Sequence, residues 1–260
     1  MGNFKVTQRV AIVTGGLQGI GLAIAQELKA QGAKVAVGAR RGGDADIVTS
    51  VKATLGDDIV VAALDVQSST SITTFVNTVA ETFGAPDILV NAAGVSLHQP
   101  ICGHAEADWE SVIDINLNGP FRMIRACLPG MMDRGWGRIV NIASTAARVA
   151  EPTHPAYCAS KAGLVGLTKA VAMEGGPRGV TCVAVSPAWV ETDMLRESSK
   201  KMAERTGRPI AEIIAEMEAC NPQGRLIQPE EIAAVVAFCC TDAARGLTME
   251  DIQVNAGALW

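Results

Sequence analysis

At 260 residues, 48% hydrophobic and 19% charged, the chain is long enough to bury the core of one large α/β domain. A formal net charge of -5 leaves no basic stripe for nucleic acid, and no apolar segment is long enough for a secretory leader or a bilayer span. Position 6 is Val6 where a myristoylation motif needs Ser or Thr, and seven cysteines with no CxxC and no histidine at ligand spacing argue against a disulfide framework or a metal site and for a reducing, cytoplasmic setting.

Short β-branched runs alternate with amphipathic stretches. That pattern predicts a Rossmann-like, doubly wound parallel sheet of about seven strands, flanked by helices on both faces, as a single domain over 1–260. Strands are expected at 9–14, 34–39, 59–63, 88–91, 137–142, 179–186 and 251–254. Helices are expected at 19–31, 44–55, 69–83, 107–132, 156–174, 210–218 and 229–240. The vicinal Cys239 and Cys240, in the run VVAFCC, read as buried small hydrophobes before they read as a redox pair.

The first strand runs into TGGLQGIG, residues 14–21. Gly15, Gly19 and Gly21 let the backbone turn tightly and approach a pyrophosphate, while free N–H groups at the helix start attract the anion. Gly15, Leu17, Gln18, Gly19, Ile20 and Gly21 are therefore candidate dinucleotide contacts. The second strand ends GAR, residues 38–40, with Ala39 where an acidic residue would take the ribose hydroxyls of NAD. Arg40 and Arg41 follow. Either could pair with a 2′-phosphate, which favours NADP(H) over NAD(H), or both are simply solvated.

The stretch 191–225 breaks the alternation with many charges and a helix between a turn at Pro187 and Pro222. Such an excursion either covers the ligand crevice or forms a surface hairpin.

The stretch PAYCASKAG, residues 155–163, holds the single tyrosine, Tyr157, four residues before Lys161. Hydride transfer at a carbon needs a proton on or off its oxygen, and a phenol with a pKa near 10 is a poor base at neutral pH. An ammonium on the same helix face favours the phenolate.

With TGGLQGIG, Tyr157 and Lys161 in view, the chain resembles a classical short-chain dehydrogenase/reductase over nearly its whole length. NAAG, residues 91–94, is similar to the family's NNAG turn and puts Asn91, Ala92, Ala93 and Gly94 beside the adenosine. Asp65 and Val66, in LDV, match its adenine contact. SPAWVETDM implies that Pro187, Val190 and Thr192 lie near the nicotinamide carboxamide. Asn116, in DINLNGPF, and Ser144, in IVNIAS, match its catalytic asparagine and serine. The resemblance makes Tyr157 the acid/base, Ser144 the group that orients the substrate oxygen, Asn116 the holder of a relay water, and Lys161 a ribose ligand as well as a tuner of the phenol. Ala92, Ala188 and Val183 depart from the family's usual residues.

The resemblance implies a ketone or secondary alcohol as the small-molecule substrate. Residues just after the catalytic and cofactor turns are candidates to meet it: Ser96, His98, Ala146, Arg148, His154, Trp189 and Met194. Arg148 reads as a contact for an anionic group or as a solvated loop residue. The tail MEDIQVNAGALW and the small apolar residues of the helices from 107 and 156 are similar to those that build homotetramers in the family. A non-catalytic dinucleotide-binding sensor or scaffold is the alternative, but such a module has no need of the phenol.

Overall fold

A computed structural model describes residues 5–150 and 152–258. Seven strands, β1 (Val10–Thr14), β2 (Lys34–Ala39), β3 (Val60–Ala63), β4 (Ile88–Asn91), β5 (Gly137–Ile142), β6 (Val180–Pro187) and β7 (Asp251–Val254), form one sheet in the order β3-β2-β1-β4-β5-β6-β7. Every neighbouring pair is parallel. Chain order reverses between β1 and β4, so a crevice opens at their carboxyl ends.

The strands read as continuous apolar runs because both faces are covered. Side chains alternate across the sheet. Ala11, Val13, Val35, Val37, Ile88, Val90 and Val183 meet helices α1 (Gly19–Ala30), α2 (Ala45–Leu55) and α9 (Pro229–Cys239) on one face. Ile12, Ala36, Leu89, Ile139 and Cys182 meet α3 (Ser69–Phe83), α5 (Gly119–Asp133) and α6 (Pro155–Gly175) on the other. Cys239 and Cys240 are buried in the first of these cores.

Three differences from the expected elements have local causes. Strand β6 starts at Val180 because Gly179 has φ +74°, outside any strand conformation. The single helix expected over 107–132 is two, α4 (Glu106–Ile113) and α5, joined by a wide π-type turn at Asp114–Asn118. Pro120 lacks the N–H that would bond the carbonyl of Asn116 in a regular helix, so the ladder must widen there. The excursion at 191–225 holds two helices, α7 (Asp193–Thr206) and α8 (Ile210–Ala219), where one was expected. Leu195, Ile213, Met217 and Leu226 give it a small core of its own. Its base is pinned where Ile227 N donates to Trp189 O at 2.9 Å and Glu191 N to Ile227 O at 2.9 Å.

Among the described residues no helix is long and apolar enough to cross a membrane. The last two residues of the tail, Leu259 and Trp260, lie outside the described residues.

Candidate active site

The turn between β1 and α1, with the first turn of that helix, leaves no room for a side chain at Gly15, Gly16 or Gly21. A Cβ on Gly15, at φ +68°, would sit 2.8 Å from Ala93 Cα, and one on Gly21 would sit 2.3 Å from Gly15 O. Their absence lets the glycine-rich turn lie against the NAAG turn. Thr14 Oγ1 ties the two together by accepting from Ala92 N and Ala93 N, each at 3.1 Å. Gln18 starts α1 without a side-chain cap, so the first N–H groups of that helix are open to an anion.

A groove runs from this turn past Leu17, Gln18, Gly19 and Ile20 to Arg40 and Arg41, and back along Asp65, Val66 and Ala92 to Gly94. A glycine cradle at an uncapped helix start fits a dinucleotide pyrophosphate. Arg41 Nε lies 2.9 Å from Asp44 Oδ2, an exposed pair, whereas Arg40 makes no ion pair among the described residues. Asn91 is buried beneath the groove and donates from Nδ2 to Asn141 Oδ1 at 2.8 Å. Thr192 lines the groove and caps α7, its Oγ1 accepting from Leu195 N at 3.3 Å.

A second crevice adjoins the groove at Ile20, Gly94 and Thr192, and it holds Ser144, Tyr157 and Lys161. Tyr157 and Lys161 lie one turn apart on α6. Lys161 Nζ donates to Ile142 O at 2.7 Å and sits 5.6 Å from the Tyr157 ring centroid. The lysine is 5% exposed, and burial pulls its pKa down to about 8, so it is still mostly ammonium at neutral pH. Ser144 Oγ accepts from Ala146 N at 3.1 Å, which leaves its hydroxyl proton to donate outward.

Asn116 lies in the wide turn, fully buried. Its Oδ1 accepts from Val95 N at 2.9 Å, while its Nδ2 donates to Val95 O at 2.9 Å and to Ser160 Oγ at 3.1 Å. The amide thus clamps the segment after β4 to α6, and one lone pair of Oδ1 remains. Gly94 keeps this corner open, since a Cβ there would come 3.3 Å from Asn116 Oδ1 and 3.6 Å from Lys161 Nζ.

Pro187 and Val190 line this crevice, and so do Ser96, His98, Ala146, His154, Trp189 and Met194 from the expected substrate set. Arg148 does not: its exposed guanidinium pairs through Nε with Asp251 Oδ2 at 2.7 Å, outside the lining of the crevice. Residue type alone gave no weight to Thr14, Ser160 or Ser198. Ser160 Oγ donates to Tyr157 O at 2.7 Å, while Ser198, on α7, lines the crevice. Small hydroxyl residues occur everywhere, and only the fold shows which ones bridge functional segments.

A family model described as Enoyl-(Acyl carrier protein) reductase matches residues 15–258. Over 255 residues the chain is 37% identical to a D-beta-hydroxybutyrate dehydrogenase of Cupriavidus necator, covering 97% of this chain and 95% of that protein. It is 36% identical to the 3-oxoacyl-(acyl-carrier-protein) reductase FabG of Vibrio cholerae, covering 96% of each. The crystal structure of an actinorhodin polyketide ketoreductase variant with NADPH superposes with a TM-score of 0.91 at 36% identity, covering 97% of this chain and 98% of that one.

Proposed function

The chain belongs to the short-chain dehydrogenase/reductase family, and on that premise we propose that it interconverts a ketone and a secondary alcohol, with NADP(H) preferred over NAD(H). The observation that carries the reading is one crevice lined by the hydroxyls of Ser144 and Tyr157 with the buried Lys161. The nicotinamide cofactor, when bound, supplies or accepts the hydride. Tyr157 gives its phenolic proton to the carbonyl oxygen in reduction and takes it back in oxidation. Lys161, with no carboxylate among the described residues lining the crevice, stabilises the phenolate left behind and would hold the cofactor ribose. Ser144 donates to the substrate oxygen and keeps it in line with the phenol. Asn116 fixes the wall behind Lys161 and holds a relay water through its remaining lone pair.

The groove from Gly15 to Gly94 would hold the dinucleotide, with its pyrophosphate at the start of α1. Preference for NADP(H) rests on Arg40, which has no ion pair among the described residues, and on Ala39 in place of an acid. The actinorhodin ketoreductase variant, crystallised with NADPH, agrees with that choice. A homotetramer and a reducing, cytoplasmic setting belong to the same proposal. They are supported by Trp109 on α4 and Phe121 on α5, which are exposed at 37% and 46%, and by seven unbonded cysteines.

The test is NADPH and NADH oxidation by the purified protein with a panel of ketones. Turnover with at least one ketone is expected, and none with any ketone contradicts the reading. Arg40→Asp should lower kcat/KM for NADPH by about tenfold or more, the scale of one lost charge-assisted contact, and leave NADH use intact. An unchanged ratio of the two cofactors would remove Arg40 from the assignment.

A further inference from the structure

The wide turn at Asp114–Asn118 serves two places at once. Asn116 reaches the reacting end, where its amide bonds Val95 and Ser160. Two positions earlier, Asp114 bonds a different set of partners: Oδ1 accepts from Arg122 Nη2 at 2.6 Å and from Asn118 Nδ2 at 3.0 Å, and Oδ2 accepts from Gln67 Nε2 at 3.1 Å. Ile115, between the two, lines the dinucleotide groove.

Val66 and Gln67 line that groove with Arg40, Arg41 and Asp65, at the end that the reductase reading gives to the adenosine. Gln67 N is itself held by Asp65 Oδ1 at 3.0 Å. Arg122, on α5, donates from Nη1 to Val66 O at 3.3 Å as well as from Nη2 to Asp114. One guanidinium thus spans the groove wall and the wide turn. The first residue of α5 is pressed onto the same wall, since a Cβ on Gly119 would come 2.9 Å from Val66 Cγ2.

This bracket matters because the ladder of backbone bonds is irregular here. Pro120 has no N–H to give to the Asn116 carbonyl, so the turn leans on side-chain bonds to set where Asn116 lies. Burial works against a charge on Asp114, but the bonds from Arg122, Asn118 and Gln67 outweigh it and hold the carboxyl below its ordinary value. The group is therefore ionised at neutral pH, and its charge-assisted bonds are the strong kind. A ligand resting on Val66 and Gln67 orders them, and the bracket passes that order to the turn. The cost of fixing Asn116 then falls on adenosine binding rather than on the chemical step.

We infer that Asp114, held by Arg122 and Gln67, is a positioning residue that couples the adenosine end of the groove to Asn116, so that adenosine bound there speeds hydride transfer at the other end. The inference rests on the reductase reading above.

The experiment supplies the cofactor in two pieces. Reduced nicotinamide mononucleotide is the hydride donor for a ketone that the protein reduces, and adenosine 2′-monophosphate, or plain adenosine if NADH is the better donor, is added separately. In the wild type the second piece should raise kcat by about tenfold or more, because a truncated substrate loses rate as well as affinity. Asp114→Ala and Arg122→Met should each bring that ratio close to one. Arg125→Met, on the same helix but bonded to Ser69 instead of the bracket, should keep it. A second readout needs no turnover: the adenosine piece alone should slow amide exchange at 114–118 in the wild type by about tenfold, and much less in Asp114→Ala. No rise in rate in the wild type, a rise that survives in Asp114→Ala and Arg122→Met, a rise lost equally in Arg125→Met, or equal slowing of exchange with and without Asp114 overturns the inference and leaves the reductase reading intact. Failure to turn over any ketone with NADPH or NADH contradicts the reductase reading and takes the inference with it.

Discussion

At Lys161 the role proposed for a single residue opposes stability. Its ammonium is buried, accepts no anion and bonds a carbonyl, so burial alone lowers its pKa to about 8. The unfolded chain holds that proton up to the ordinary value near 10.5. Between about 8 and 10.5 the unfolded state binds more protons, so this group makes stability rise with pH across that window and contributes no slope below it. The full effect is on the order of 3 kcal/mol. Lys161→Met should therefore unfold at higher denaturant than the wild type at pH 7, lose the extra gain in stability above pH 8, and lose turnover. A variant less stable than the wild type at pH 7 would contradict this account of the burial. That Tyr157 and Lys161 lie one turn apart on one helix was legible from their i, i+4 spacing. His98 and His154 were expected at the pocket from their places after the turns, but their contact with each other and with Ser198 was not legible, since the three come from separate segments, the histidines 56 positions apart and His98 and Ser198 100 apart.

At the scale of elements, the covering segment is the part most separable from the rest. Helix α7 is strongly polar and buries only Leu195 and Ser199, so its apolar periodicity is too sparse to announce a helix. Its ends were the better signal: Thr192 caps the start and Gly207, at φ +70°, closes the end. Strands β2, β4, β5 and β7 stand where β-branched runs predict them, β4 and β5 buried throughout and β7, at the sheet edge, only partly buried. The break between α4 and α5 was hidden, since the apolar spacing continues through Pro120. Met217→Ala, in the small core under α7 and α8, should cost about 2–3 kcal/mol locally. Amide exchange should accelerate in α7 and α8 while β1, β4 and β5 keep their protection. Uniform acceleration across the sheet would mean that the cover is not an independent unit.

For the whole molecule, alternating strands and helices imply a doubly wound sheet, and the order β3-β2-β1-β4-β5-β6-β7 places every candidate group at the carboxyl ends of the strands. Trp109 on α4 and Phe121 on α5 are exposed at 37% and 46%, and pairing of subunits over these helices would cover them. A wild-type mass near four chains by light scattering is expected, and Phe121→Glu should shift it to a smaller species, because association would bury an unpaired carboxylate. A monomeric wild type, or an unchanged mass in the variant, would rule out that face.

The proton carried by Tyr157 is central to the account. The direct measurement is kcat for Tyr157→Phe beside the wild type on any ketone the protein reduces, with NADPH binding followed by fluorescence. Loss of the acid/base group should lower kcat by about 100- to 10,000-fold while the dissociation constant for NADPH changes little. Equal turnover in the two proteins would contradict the assignment of Tyr157 as the acid/base.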